Sequence, residues 1–428
     1  MIVILGAGIS GISASYHLKQ RGIESVVYEK NKRWGGLIDN FTLDGSFRFD
    51  HFVHLSFTNI EYVKELFAKS SPYIAHHPES SNYYKGAWLK HPAQNNLAPL
   101  STDEKVKIIE DFVNKPVIET PENYYEWLLL QFGTYFTDNF PGVYTEKYWT
   151  LNARELTTEW AGKRFSIPPL DSLLKGAFEE QAANFYYAKE MRYPVKGGYK
   201  SFAKLMAADV TMRMEKKAVL IDPLKKKVDF EDGTSEFYEQ LVSSLPLPEL
   251  LKIVKDAPAN VKEAAEQLLA TAGQLVSIGF NRPDVPKHLW FYIYDEDILP
   301  SRGYSPSMKS PDNVPEGKSS IQFETYFSKK KAPNLRGGNL IEHVVKKAEK
   351  MGLFTLNDVE VTDYREVGYA NVIFDHGRQK NLAIVHDYLD SIDIKYIGRF
   401  GEWDYLWSDQ SLMSGKKCAS GIISEINS

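Results

Sequence analysis

Cysteine is almost missing from this chain. A single thiol, Cys418, stands among 428 residues, so no internal disulfide can form and a reducing, cytoplasmic setting is expected. With no partners at metal-ligand spacing, Cys418 reads as a small buried residue on a late helix, and no metal site is expected. No run of about 18 apolar residues occurs, which leaves nothing to span a membrane as a helix. The apolar start at Met1 lacks the basic leader of a signal peptide and is broken by glycines. Neither sign of charge dominates: 51 Lys and Arg face 56 Asp and Glu, a net of −5, and like-charge runs stop at Lys225-Lys226-Lys227 and Lys329-Lys330-Lys331. A nucleic-acid footprint is therefore absent. Sequence repeats and low-complexity stretches are absent too, which excludes solenoids and propellers. Aromatic residues, by contrast, are plentiful. Twenty-five Tyr, 23 Phe and 8 Trp make 13% of the chain, enough to line a cavity as well as fill a core. The length is too great for a single core, and two or three domains are expected.

The most informative stretch is the first. Met1-Ile2-Val3-Ile4-Leu5 is a buried-type strand running straight into Gly6-x-Gly8-x-x-Gly11; a helix is expected over 12–19, and Val26-Val27-Tyr28-Glu29 ends a second strand on a carboxylate. In such a βαβ unit the first glycine permits the tight turn and the second lets backbone approach a pyrophosphate. The third lets the helix pack closely, so its N-terminal N–H groups and dipole face the phosphates. Glu29 would hold the ribose hydroxyls. The basic stretch Lys30-Asn31-Lys32-Arg33 then closes on Gly35-Gly36, a continuation found in flavoproteins of the glutathione-reductase type, so FAD is favoured over NAD.

Residues 38–60 read as a strand, Phe41 to Phe49 about an Asp44-Gly45 turn, and then Asp50-His51-Phe52-Val53-His54, with a helix expected over 59–69. Helical spacing recurs in 103–114, 122–132, 145–149 and 170–182. A loop is expected at Arg192-Tyr193-Pro194-Val195-Lys196-Gly197-Gly198. Strands return over 218–221, 227–230 and 240–244 as a meander, with Val219 a candidate cofactor contact, and again over 274–282, 288–294 and 318–327. Ile394 to Gly401 reads as a strand entering a loop, and a last helix begins near Asp409. Backbone at the start of that helix, Asp409-Gln410-Ser411, is a candidate to face the flavin pyrimidine. The expected class is α/β: a glutathione-reductase-type FAD-binding Rossmann domain (1–75 with 192–250 and 388–428), a helical insert (100–190), and a substrate-side domain with a second mixed or antiparallel sheet (76–99 with 251–387).

Several segments resemble the UDP-galactopyranose mutases. Gly398-Arg399-Phe400-Gly401-Glu402-Trp403-Asp404-Tyr405 is similar to the end of that family. His91-Pro92-Ala93-Gln94-Asn95-Asn96 resembles its Tyr-Pro-Phe-Gln-Asn-Asn, Trp160 to Arg164 its Trp-x-x-x-Arg, Trp290-Phe291-Tyr292 with Arg302 its Trp-x-Tyr…Arg, and Asp50 to His54 its Asp-x-Gly-Gly-His. The resemblance implies interconversion of pyranose and furanose rings of a nucleotide-diphosphate sugar through an adduct on N5 of reduced flavin, with NAD(P)H a possible external reductant. It implies Arg164, Arg302 and Arg399 at the diphosphate, since a planar guanidinium binds it bidentately. Gln94, Asn96, Trp290, Tyr292, Tyr369 and Tyr405 are the implied substrate contacts, and His54 is implied beside the reduced flavin. Where the family has Gly-Gly before that histidine this chain has Phe52-Val53, and His91 and Ala93 replace two aromatics, so UDP, dTDP and GDP sugars all remain open. A homo-oligomer is possible. The alternative reading is an amine- or protoporphyrinogen-type oxidase, whose substrates call for an aromatic cage and no paired arginines. A non-catalytic FAD scaffold would keep the first glycines and Glu29 and little else.

Overall fold

The computed structural model describes residues 1–77, 79–161, 168–181 and 190–427. A five-stranded parallel sheet runs in the order Ile394–Tyr396, Gln240–Ser243, Ile2–Leu5, Ser25–Tyr28, Thr211–Arg213. Its central strand alternates between two cores. Ile2 and Ile4 face a layer that holds the first helix, Ile9–Lys19, and the last, Ser408–Asn427, while Val3 and Leu5 face Leu250, Leu389 and Trp403 on the other side. The burial of both faces is what a parallel sheet demands, and it explains the unbroken apolar run at the start of the chain. First and last helices meet at Gly415, where a Cβ would lie 2.2 Å from the Ser10 carbonyl oxygen.

The second sheet has seven strands: Val359–Val372, Ala270–Phe280, Ser319–Phe327, Arg302–Tyr304, Trp290–Ile293, Ser80–Tyr84 and Ala87–Lys90. All neighbours are antiparallel except Trp290–Ile293 against Ser80–Tyr84, so the sheet is mixed, as expected. Helices Thr102–Val113, Tyr124–Phe132, Thr134–Asn139, Pro141–Tyr148 and Leu170–Phe178 form the insert over one face of it. Two of them begin at side-chain caps, Ser101 accepting from the Glu104 N–H and Asn123 from the Glu126 N–H, which fixes their starting points.

The structure corrects some local expectations. Met191–Pro194, read as loop, is a strand paired with Tyr73–His76. The strand Gln240–Ser243 leaves the meander and joins the parallel sheet, and the third meander strand is Ser235–Phe237. Arg399 sits on a one-turn helix, Gly398–Gly401, rather than at a strand end, because the strand stops at Tyr396 and Gly398 turns the chain at φ +74. Among the described residues, no helix is long and apolar enough to cross a membrane.

Candidate functional site: a dinucleotide cradle opening on an aromatic cavity

The Gly-rich turn has the shape its sequence demands. Gly6 adopts φ +97, a backbone conformation that side chains disfavour, and a Cβ on Gly11 would lie 2.0 Å from the Gly6 carbonyl oxygen, so only glycine lets the helix come this close. Gly8 is different: a Cβ there would meet nothing within 4 Å. Open space over the helix start is where a phosphate fits, and the helix Ile9–Lys19 has neither a side-chain cap nor an acidic residue in its first turn. The Gly35 N–H donates to the Ala7 carbonyl at 2.8 Å, and Gly36 packs against Gly8, so the second glycine pair folds back over the first. Buried Glu29 accepts from the Ala7 N–H (2.9 Å) through Oε2 and from the Asn31 N–H and Nδ2 through Oε1, which leaves Oε2 a lone pair for a ribose hydroxyl. Val219 lies just past the Lys216 N–H, which donates to the Glu29 carbonyl at 2.8 Å. Val219 is 39% exposed. The residues present thus fit the pyrophosphate and ribose of FAD.

Beyond the cradle lies a cavity of about 580 Å³, bordered by the turn 50–54, the insert helices, the second sheet and the C-terminal segment. It brings together His54, Gln94, Trp290, Tyr292, Arg302, Arg399, Tyr405 and Asp409. Sheet register explains the spacing of the Trp-x-Tyr…Arg pattern. Tyr292 pairs with Arg302 on the next strand and Arg302 with Glu324 on the one after, a cross-strand row of three polar side chains. Arg302 donates through Nε to Glu324 Oε2 (2.5 Å) and through Nη2 to the Tyr326 hydroxyl (2.9 Å). Burial alone would lower its pKa, but the Glu324 carboxylate holds it well above the ordinary arginine value, so the guanidinium stays charged. Arg399 donates to the carbonyls of Leu406 and Ala370 (2.8 Å each) and to Asn371 Oδ1 (3.2 Å), all neutral oxygens. Tyr148, from the insert, joins the two arginines: its hydroxyl donates to Asn371 Oδ1 and bonds the Tyr405 hydroxyl at 3.0 Å, while the Arg302 guanidinium lies 5.1 Å from its ring.

The turn 50–54 ends on His54. Its Nε2 lies 2.9 Å from the Leu37 carbonyl, which can only accept, so Nε2 carries the proton and Nδ1 a lone pair. Burial lowers its pKa to about 4, and its ring stacks on Tyr199. Burial therefore favours the neutral imidazole at His54, which lines the cavity. Behind it, fully buried Lys309 donates to Asp50 at 2.7 Å; although burial works to raise the Asp50 carboxyl, this contact holds it below its ordinary value.

Other candidates lie elsewhere. Asn96 supports its own turn, donating to the Pro92 carbonyl and accepting from the Gln181 N–H, and does not line the cavity. Tyr369 packs on Phe400 and Trp403 and donates to Glu249, outside the cavity lining. Asp409 faces the cavity from the start of the last helix, whereas Gln410 accepts from the Trp407 N–H and Ser411 is buried, neither lining it. Arg164 lies outside the described residues. Cys418 is half-buried on the last helix, its thiol pushed up to about 12 by burial and so inert. Glu324, Tyr326, Tyr148 and Asn371 were not singled out by sequence reasoning. Glu324 had a signal: it is a lone carboxylate among Ile321, Phe323 and Phe327 in a strand.

A family model described as an NAD(P)-binding Rossmann-like domain matches residues 4–70, the cradle and the helix after it. A reduced UDP-galactopyranose mutase superposes with a TM-score of 0.92 at 24% identity, over 99% of this chain and 95% of that one. The two share one fold. A protein provisionally named a protoporphyrinogen oxidase, from Exiguobacterium sp. 255-15, gives 0.76 at 14% identity over 99% and 98% of the two chains, and a putrescine oxidase 0.66 at 14% over the same shares. The fold expected from the sequence, a Rossmann-like parallel sheet with further sheets as in that mutase, is thus the fold observed.

Proposed function

We propose that this chain is an FAD-dependent isomerase that interconverts pyranose and furanose forms of a nucleotide-diphosphate sugar. The observation that carries the reading is the convergence of Arg302 and Arg399 on one aromatic cavity, linked through Tyr148, beside a turn that begins in the FAD-binding half. The flavin, when bound and reduced, supplies the covalent chemistry at the anomeric carbon. The chain's own part is to hold the departing diphosphate, orient the sugar and exclude water. Arg302 and Arg399 match the charge of a diphosphate, and the Tyr292 hydroxyl adds a neutral donor in the same space, while the Tyr148 and Tyr405 hydroxyls bond each other and Asn371 and so fix the wall between the two arginines. Trp290, its Nε1 donating to the Tyr292 hydroxyl at 3.2 Å, holds that hydroxyl's direction. The high aromatic count is spent here: rings of Tyr124, Phe132, Phe136, Phe140, Tyr144 and Trp149 form the insert-side wall, a surface on which a nucleobase can stack.

One observation favours a second reading. Glu324 neutralises Arg302, and a mostly aromatic cavity also suits the neutral amine of an FAD-dependent oxidase. The two readings part on electrons: the isomerase needs reduced flavin yet consumes no stoichiometric reductant, whereas an oxidase generates one peroxide per substrate. Stopped-flow reoxidation in air, with amines and nucleotide sugars as substrates, tests the proposal. Peroxide formation stoichiometric with any amine selects the oxidase.

A further inference from the structure

The turn that carries His54 contains a bulky residue in a conformation glycine takes best. Phe52 has φ +67, a left-handed geometry in which an aromatic residue is an outlier, and it persists only if the surroundings hold it. The surroundings do. Its ring enters a slot opened by Gly273, where an added Cβ would lie 2.3 Å from Cε1 and 2.5 Å from Cζ. Gly273 pairs across the sheet with Tyr326, and the Phe52 ring stacks on that tyrosine at 5.7 Å and 9°, so the ring fills the gap left by the glycine. The next N–H, that of Val53, donates to Glu324 Oε1 at 2.6 Å. Oε2 of the same carboxylate accepts from Arg302 Nε and from the Tyr326 hydroxyl, both at 2.5 Å. Ring, turn, carboxylate and guanidinium therefore form one closed set of contacts between the turn 50–54 and the cavity arginine.

We propose that Phe52 is a positioning residue: seated on Gly273, it wedges turn 50–54 into a single conformation and, through the Val53 N–H and Glu324, keeps Arg302 aimed at the substrate diphosphate. The aim at a diphosphate rests on the function proposed above, while the wedge itself does not. A residue with a free left-handed turn, such as glycine, would let the Val53 N–H swing away from Glu324; the ring removes that freedom.

Two variants of the FAD-loaded protein test this. Gly273→Ala places a methyl where the ring sits, at a position that does not itself line the cavity, whereas Phe52 and the Tyr326 paired with Gly273 do. Phe52→Asn keeps a residue that tolerates the left-handed turn while removing the ring. Amide hydrogen exchange over 50–55 is followed in oxidised and dithionite-reduced protein, and UDP, dTDP and GDP are titrated by flavin fluorescence. The wedge predicts equal protection of Val53 in both oxidation states of wild type. In each variant it predicts exchange faster by about tenfold or more, and the best-bound nucleotide weakened by about tenfold at unchanged FAD content. Wild-type exchange that rises tenfold on reduction, or variants that alter neither readout, overturn the wedge. Wild type that binds none of the three nucleotides overturns the diphosphate reading instead, and the exchange data still decide the wedge. If Gly273→Ala does not fold, Phe52→Asn carries both measurements.

Discussion

Arg302→Met removes a buried cation from beside a buried anion, and the two consequences can be separated. The first is on binding. The Nη1 donors of Arg302 make none of the bonds that tie it to Glu324 and Tyr326, so they are the ones a diphosphate would use. Charge-assisted bonds of this kind are worth about 1.5–3 kcal/mol, which corresponds to roughly a ten- to hundredfold loss of nucleotide affinity. The second consequence is on stability. Glu324 is 0% exposed, and stripping a buried carboxylate of its partner costs about 3–5 kcal/mol. A paired variant, Arg302→Met with Glu324→Gln, removes both charges, and the glutamine oxygen can still accept from the Val53 N–H. Denaturant unfolding of the FAD-loaded protein should therefore show Arg302→Met strongly destabilised and the paired variant within about 1 kcal/mol of wild type. Flavin-fluorescence titration should show both with the same weakened nucleotide binding. Affinity restored in the paired variant, or undiminished in Arg302→Met, would refute the reasoning, because the arginine would then serve the fold alone.

Gly8→Val should yield a folded protein that has lost its flavin, since the added side chain meets no protein atom at Cβ and extends into the phosphate path; a fully yellow variant by absorbance would remove the cradle assignment. Arg399→Lys should recover only part of the nucleotide affinity lost in Arg399→Ala, because an ammonium cannot reach the Leu406, Ala370 and Asn371 oxygens together and still meet a phosphate; equal titration curves for Lys and Arg would contradict the planar-fork argument. His54 and His91, both lowered by burial to about 4, are neutral in the folded protein while the unfolded chain protonates near the ordinary histidine value of 6.5. Stability should thus be full above pH 6.5 and fall as pH drops toward 4, by up to about 1.4 kcal/mol per pH unit for each histidine. Unfolding midpoints of a His54→Gln, His91→Asn variant that keep the wild-type slope in that window would show that other groups are responsible.

Much of this architecture is legible in the sequence because the βαβ start obeys strict steric rules. Gly6, Gly11 and the apolar run Ile2–Leu5 leave few alternatives, and the structure uses each in the way the spacing requires. The edge strand Val359–Val372 is less legible: Asp363 and Arg365 fall in the same phase as Val359, Val361 and Val367, so charge interrupts the period-two pattern. Met191–Pro194 was hidden by its proline and the glycines after it, which read as turn. At the site, residues tied to a local motif, such as Trp290, Tyr292 and Arg302, come together because adjacent antiparallel strands place them in register. Tyr148 and Asn371 reach the cavity, and Glu324 reaches Arg302 behind it, from sequence-distant elements, and only tertiary packing reveals them. Tyr369 shows the opposite case: an aromatic near the end of a strand, plausible as a ligand contact, is spent on packing against Trp403.

The most direct test of the central claim is to incubate the dithionite-reduced, FAD-loaded protein with UDP-, dTDP- and GDP-sugars and to separate the products by anion-exchange chromatography, with proton NMR of any new peak. The account predicts that at least one pyranose sugar nucleotide gives its furanose isomer, that oxidised protein gives none, and that flavin stays reduced through many turnovers. Absence of a furanose product from every member of the panel, with flavin shown to be bound and reduced, would contradict it.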